Sequence, residues 1–241
     1  MFSIFKKEVS SYFNSLIAYI VIGVFLLLTS LMLWMYPNTS VLDYGYAEMT
    51  SFFDFCPYIF LLLIPAVSMR MFSEEFRTGT VEFLFTKPIS LWGIILGKYL
   101  ATLFILVLAI LPTLVYFVSL YLLGNPKGNI DSASVFGSYF GLILLAAAYA
   151  SIGIFTSTLS KNQVVAFILA AIISYFFYDG LGQISGIFRG SVQYYLNYFG
   201  LDFHYSSLGK GMLDSRNIVY LISFSGIFLV FTNLLLNKSR K

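Results

Sequence analysis

The chain has 241 residues, of which 59% are hydrophobic and 10% charged, with a formal net charge of +3. Soluble domains carry about 25% charged residues, so this composition excludes an ordinary soluble enzyme and points to a polytopic membrane protein. Cys56 is the only cysteine and His204 the only histidine, which excludes an intramolecular disulfide and a Cys/His metal cluster.

Residues 2–15 precede the first long apolar run. Phe2, Phe5, Val9, Tyr12 and Phe13 recur at helical spacing, with Lys6, Lys7, Ser10 and Ser11 mostly off that face. This predicts an amphipathic helix in the membrane interface, its lysines toward lipid headgroups. No small-residue cleavage pattern follows the first run, so no cleavable signal peptide is expected.

Residues 16–36 form the first predicted span, ended by Tyr36-Pro37-Asn38. An apolar run of about 20 residues is enough to cross the hydrocarbon layer. Residues 52–70 form the second, with Asp54 near its start and Pro57 and Pro65 expected to bend it. The polar block "SEEFRTGTVEFLFTKPIS" (73–90) follows. Residues 99–123 form the third span, containing Pro112, and "GNPKGNIDS" has strong turn chemistry. Residues 135–159 form the fourth. Its small residues Ala146, Ala147, Ala150, Ser151 and Gly153 predict close packing inside a bundle. The fifth span is assigned to 164–180 and reads as short, interrupted at Asp179 and Gly180. The stretch 181–210 reads as a re-entrant or interfacial segment. Residues 218–236 form the sixth span. The predicted fold is therefore all-α, with six transmembrane helices in one domain.

With both termini cytoplasmic, ten Lys and Arg residues lie inside, Lys87, Lys98, Arg240 and Lys241 among them, and only Lys127, Arg189, Lys210 and Arg216 lie outside. This bias assigns both termini, and the 73–90 block, to the cytoplasm.

Within the block, Phe72, Phe76 and Phe83 share helical spacing, as do Glu75, Thr78 and Glu82. Gly79 is placed to break a helix, Thr80 to cap a new one with Glu82 in its first turn, and Pro88 to stop it after Lys87. The prediction is a short helix held below the membrane between spans two and three.

The stretch "EEFRTGTVEFLFTKPISLWGIILGK" resembles the cytoplasmic motif of ABC-2 type transporter permeases, E-E-x-x-x-G-T-x-E-x-L…P-x-S…GK. Glu74, Glu75, Gly79, Thr80, Glu82, Leu84, Pro88, Ser90, Gly97 and Lys98 fill it. The stretch before the sixth span resembles a second pattern of the family through His204, Gly211, Asp214, Arg216 and Tyr220, with Asn217 where an acid is common. The resemblance implies that the block is a coupling helix docking into a separate ATPase through Glu74, Glu75, Gly79, Thr80, Glu82, Phe83, Leu84 and Pro88. It also implies pairing of permeases around a path lined by spans two and five, in a bacterial cytoplasmic (inner) membrane. The pattern is nearest to the gliding-motility branch, GldF-type permeases. That branch implies a GldA-like ATPase and a larger GldG-like membrane subunit, or another permease copy, as partners, with lipid around them and no nucleic acid.

The chain has no G-x-x-x-x-G-K-[ST] loop; Gly97-Lys98 is followed by Tyr99 and Gly209-Lys210 by Gly211. ATP and Mg²⁺ are therefore expected in the partner, with no cofactor on this chain. An intramembrane enzyme requires paired catalytic groups at membrane depth. Asp54 and Asp179 both lie near span ends, without a His or Ser-Lys pair. A channel or secondary transporter is the other alternative, disfavoured by the lack of midplane charge or internal repeat.

Overall fold

The computed structural model describes residues 1–37, 40–44, 48–86 and 89–239. Asn38, Lys87, Pro88, Arg240 and Lys241 lie outside the described residues, so the helix stop expected at Pro88 does too. The fold is all-α. Among the described residues, six stretches are long and apolar enough to cross a membrane: Leu16–Trp34, Thr50–Thr78, Leu91–Leu123, Ser132–Leu159, Gln163–Ser185 and Ser215–Ser239.

In chain order, α1 (Phe2–Phe13) leads to α2 (Leu16–Trp34) and a single turn, α3 (Val41–Tyr44). Next come α4 (Thr50–Ser68), α5 (Arg70–Thr78) and α6 (Val81–Thr86). The third span is α7 (Leu91–Ile110), a 3₁₀ turn at Leu111–Thr113 beside Pro112, and α8 (Leu114–Leu123). The fourth is α9 (Ser132–Leu159). The fifth is α10 (Gln163–Tyr175), a π turn (Phe176–Gly180) and α11 (Leu181–Ser185). Two short helices, α12 (Ser191–Tyr198) and α13 (Leu201–Leu208), precede α14 (Ser215–Ser239).

α9 is the axis of the bundle, packed against α4, α7, α10 and α14, with α5 and α13 touching its two ends. Its small residues explain why. A Cβ on Gly153 would lie 1.9 Å from Ser68 Oγ, and one on Gly141 would lie 2.6 Å from Leu208 Cβ. Without a hydrophobic drive between helices in lipid, such close backbone approach supplies the packing energy. The outer faces carry large exposed apolar residues such as Leu27, Leu31, Leu122 and Ile172, suited to acyl chains.

The prolines in α4 are buried inside the helix. Pro57 has no N–H, so it withholds the intrahelical hydrogen bond from the Phe53 carbonyl four residues back. Tyr205 Oη donates to that carbonyl at 2.8 Å. The acceptor that Pro57 leaves open is thus satisfied from another helix.

Three expected boundaries change. The second span runs on through α5 to Thr78, because Met69 keeps helical backbone angles and Arg70, Glu74 and Glu75 ride on the same near-continuous helix. The third begins at Leu91, capped by Ser90 Oγ accepting from Gly93 N–H at 3.1 Å, so Lys98 lies within a helix rather than ahead of it. The fifth is not cut short: Gly180 keeps φ −57°, the π turn absorbs the extra residue, and the helical stretch reaches 23 residues. Asp179 lies inside that turn, near Tyr175 Oη at 3.3 Å and Gln183 Nε2 at 3.5 Å.

Candidate functional site

At the end of the bundle that carries α1 and α6, the polar block is built by one backbone event. α5 terminates at Gly79, whose φ of +71° is the left-handed closing conformation that glycine adopts without a Cβ penalty. Thr78 Oγ1 donates back to the Glu74 carbonyl at 2.9 Å and meets Thr80 Oγ1 at 2.9 Å. The Thr80 hydroxyl is thus turned to Thr78, not onto the next helix as expected, although its carbonyl accepts from Leu84 N–H.

α6 then runs for six residues. It buries Val81 and Leu84 and exposes Glu82 and Phe83, with Phe83 72% exposed. Leu84, expected to face outward with Phe83, packs into the chain's own cluster with Phe72 and Leu91. The expected continuous edge of Phe72, Phe76 and Phe83 does not form, nor does the face of Glu75, Thr78 and Glu82. The turn at Gly79 breaks the helical register between them, so Phe72 is fully buried while Phe83 is outside. Glu74 is exposed beside this turn.

Glu75 points inward. Lys98 is 1% exposed, and its ammonium spends all three donors: on Glu8 Oε1 at 2.9 Å, Glu75 Oε1 at 2.8 Å and the Met71 carbonyl at 2.7 Å. Lys7 Nζ approaches the same two carboxylates at 3.4 and 3.5 Å. Two cations and two anions therefore share one site joining α1, α5 and α7, and a charge this deep is tolerable only when so paired. Burial pushes the Glu8 carboxyl up, but the Lys98 ammonium and its hydrogen bond, with Lys7 behind, bring it below the ordinary value. Burial lowers Lys7, and the facing Glu8 and Glu75 outweigh it and leave it raised.

α1 closes over this site. The side of α1 that packs into the bundle is Ile4, Glu8 and Tyr12, one residue per turn, with Phe5 and Val9 half-buried beside it. Gly97 lets Ile4 come close; a Cβ there would stand 3.0 Å from Ile4. Tyr12 Oη donates to the Val67 carbonyl at 2.7 Å, and the Arg70 guanidinium lies 4.3 Å from the centre of the Tyr12 ring. Lys7, Glu8, Arg70, Glu74, Glu75 and Thr80 line an open groove of about 250 Å³ with Lys98 at its base.

Sequence reasoning counted Lys98 only as a motif position and as a cytoplasmic charge, and passed over Glu8. The available signals were an ammonium inside the run "GIILGKYLATLF" and an acid on the N-terminal helix.

The second set of predicted residues gathers at the opposite end. His204 is buried, with Nε2 at 2.8 Å from the Tyr198 carbonyl, Nδ1 at 2.8 Å from Asn217 Oδ1, and its ring stacked on Tyr220 at 3.8 Å. Tyr220 Oη donates to the Phe199 carbonyl at 2.7 Å. Asp214 accepts from Arg216 N–H at 2.8 Å, capping α14. Gly211 has φ +78° and passes so near α9 that a Cβ would meet Ser134 at 2.4 Å. The structure thus brings His204 onto Tyr220 and Asp214 onto Arg216, while Gly211 is spent on close packing against α9.

A comparison with curated proteins finds no match. A family model described as "ABC-2 family transporter protein" matches residues 2–197, which takes in α1, the groove, α6 and five of the six spans and ends before His204. The chain therefore belongs to the ABC-2 family of transporter permeases, as a polytopic membrane component without a catalytic role of its own.

Proposed function

We propose that the chain is the membrane-embedded half of an ATP-driven transporter, with α6 as the coupling helix. A separate ATPase, holding ATP and Mg²⁺, docks on Glu82 and Phe83. The single observation that carries this reading is the pose of α6: anchored by Val81 and Leu84, it presents a carboxylate and a 72% exposed aromatic ring outward. Docking there pushes on α5, whose Glu75 is tied through Lys98 to α7 and α1. The site thus has a contact face and a stiff connection to three helices.

On this reading the α6 end is cytoplasmic, supported by the ten-to-four partition of Lys and Arg. The membrane is the bacterial cytoplasmic membrane, and α1 lies along its inner interface. The resemblance of the chain as a whole is nearest to the gliding-motility branch, and on that reading a GldA-like ATPase and a GldG-like subunit or a second permease copy complete the complex.

The test is co-purification of the ATPase from native membranes with wild type, Glu82→Ala and Phe83→Ala chains, followed by ATP hydrolysis in reconstituted complexes. Both variants are expected to insert normally, retain less ATPase, and lose permease-dependent stimulation. Full retention of binding and stimulation in both removes α6 as the coupling helix. Wild-type chain that carries no ATPase at all favours a channel or secondary transporter instead.

A further inference from the structure

At the end of the bundle opposite α6, a cleft of about 550 Å³ opens between α12, α13 and the start of α14. Small-molecule sites fall at roughly 300–1,000 Å³ and combine aromatic walls with a few fixed polar groups. Tyr194, Tyr195 and Tyr198 form one wall, Phe203 continues it, and Asp214 and Arg216 face them from the α14 side.

The walls are held in place from behind. The Tyr194 and Tyr198 rings stack at 6.1 Å with 29° between planes, and the edge of Tyr198 meets His204 at 4.9 Å. His204 in turn is fixed by the Tyr198 carbonyl, by Asn217 and by the Tyr220 ring. The cleft is therefore preorganised, and only its outer rings remain free: Tyr194 is 57% and Tyr195 61% exposed. A belt of interfacial tyrosines needs no concavity and no such backing.

The polar groups restrict the ligand. Arg216 and Asp214 supply one positive and one negative charge, with no ion pair within 4 Å among the described residues. Their sum is zero, which disfavours a purely anionic ligand such as a phosphate. A guanidinium and a carboxylate lining the same cleft suit a neutral ligand bearing hydroxyls that both donate and accept. Exposed tyrosine faces suit the C–H face of a saturated ring. We propose that this cleft binds a pyranose sugar, with Tyr194 and Tyr195 against its apolar face and Asp214 and Arg216 on its hydroxyls.

The experiment is saturation-transfer NMR on the full-length chain in lipid nanodiscs. The probes are methyl α-glucoside, methyl α-mannoside and N-acetylglucosamine, each challenged with inorganic phosphate. At least one sugar should receive saturation at its ring protons, unaffected by phosphate. Tyr194→Ala combined with Tyr195→Ala should weaken binding about tenfold or more, the scale of lost aromatic contact. Arg216→Gln should weaken it comparably, and Phe188→Ala, an exposed ring outside the cleft, should leave it unchanged. Absence of transfer to all three probes overturns the proposal, as does transfer that survives the double tyrosine variant. Phosphate displacing the sugar assigns Arg216 to an anion such as a lipid headgroup and equally overturns it.

Discussion

Lys98 Nζ and Glu8 Oε1 stand 2.9 Å apart although 90 positions separate them in sequence. The pair lies at the base of the groove and fastens the N-terminal helix to the third span. Removing one partner leaves a buried charge uncompensated, which costs about 3–5 kcal/mol. Lys98→Met should therefore lower the unfolding midpoint in detergent substantially. Lys98→Met combined with Glu8→Gln and Glu75→Gln should recover part of the loss. A triple variant no more stable than the single would mean that the lysine acts through packing alone.

The same pair fixes a pH response. The Glu8 carboxyl is lowered in the folded chain, so its contribution is present above the unfolded value and is lost as pH falls through the folded one, below 4.5. Lys7 is raised, so its contribution is present below 10.5 and is lost as pH rises through its folded value. Protection of α1 amides against hydrogen exchange, taken relative to the intrinsic rate at each pH, should be greatest between these limits and fall on the acid side. Glu8→Gln should abolish the acid-side change and shrink the alkaline one, since Glu8 is the first of the two carboxylates that hold Lys7 up.

Gly79 sits at φ +71° with nothing within 4 Å of a would-be Cβ, so any penalty there is conformational rather than steric. Gly79→Asn should be tolerated. Gly79→Val should cost about 1–2 kcal/mol and displace α6. In reconstituted complexes the valine variant should lose stimulation of the ATPase, and the asparagine variant should keep it.

Gly153→Ala places a methyl 1.9 Å from Ser68 Oγ and 2.7 Å from Ser68 Cβ, both on packed helices. Overpacking of this kind costs about 1–3 kcal/mol. Ser68→Gly removes both clashing atoms, so the double variant should unfold closer to wild type than Gly153→Ala alone. Equal loss in both would show that the backbones part regardless.

Sidedness is testable because Cys56 is fully buried. In a Cys56→Ala background, cysteine at Lys127 should react with an impermeant reagent applied outside intact cells, and cysteine at Glu82 should react only after the cytoplasm is opened. The reverse pattern overturns the orientation.

Much of the fold was legible because apolar run length directly reports a membrane span, and the small residues of α9 report close packing. Boundaries at Thr78 and Leu91 were not, since charge was read as a loop while Glu75 and Lys98 neutralise each other inside helices. Glu8 went unread for a related reason: periodicity marks the apolar residues of α1, and only Lys98 across the bundle gives an acid a place on its packed face. Gly79 was legible, because a left-handed turn leaves few alternatives to glycine. The inward facing of Leu84 was not, since it depends on the register after that turn, and that of Glu75 depends on Lys98 across the bundle.

The proline at position 57 has a mechanical consequence. Thr50–Thr78 is a near-unbroken rod of 29 residues, about 44 Å at the helical rise. Its lower tip is pinned by Glu75 to Lys98, and near its upper tip the carbonyl freed by Pro57 is hooked by Tyr205. A twist applied at α6 therefore acts on a shaft with a fitting at each end. It is delivered, within one backbone acceptor, to the helix that carries His204.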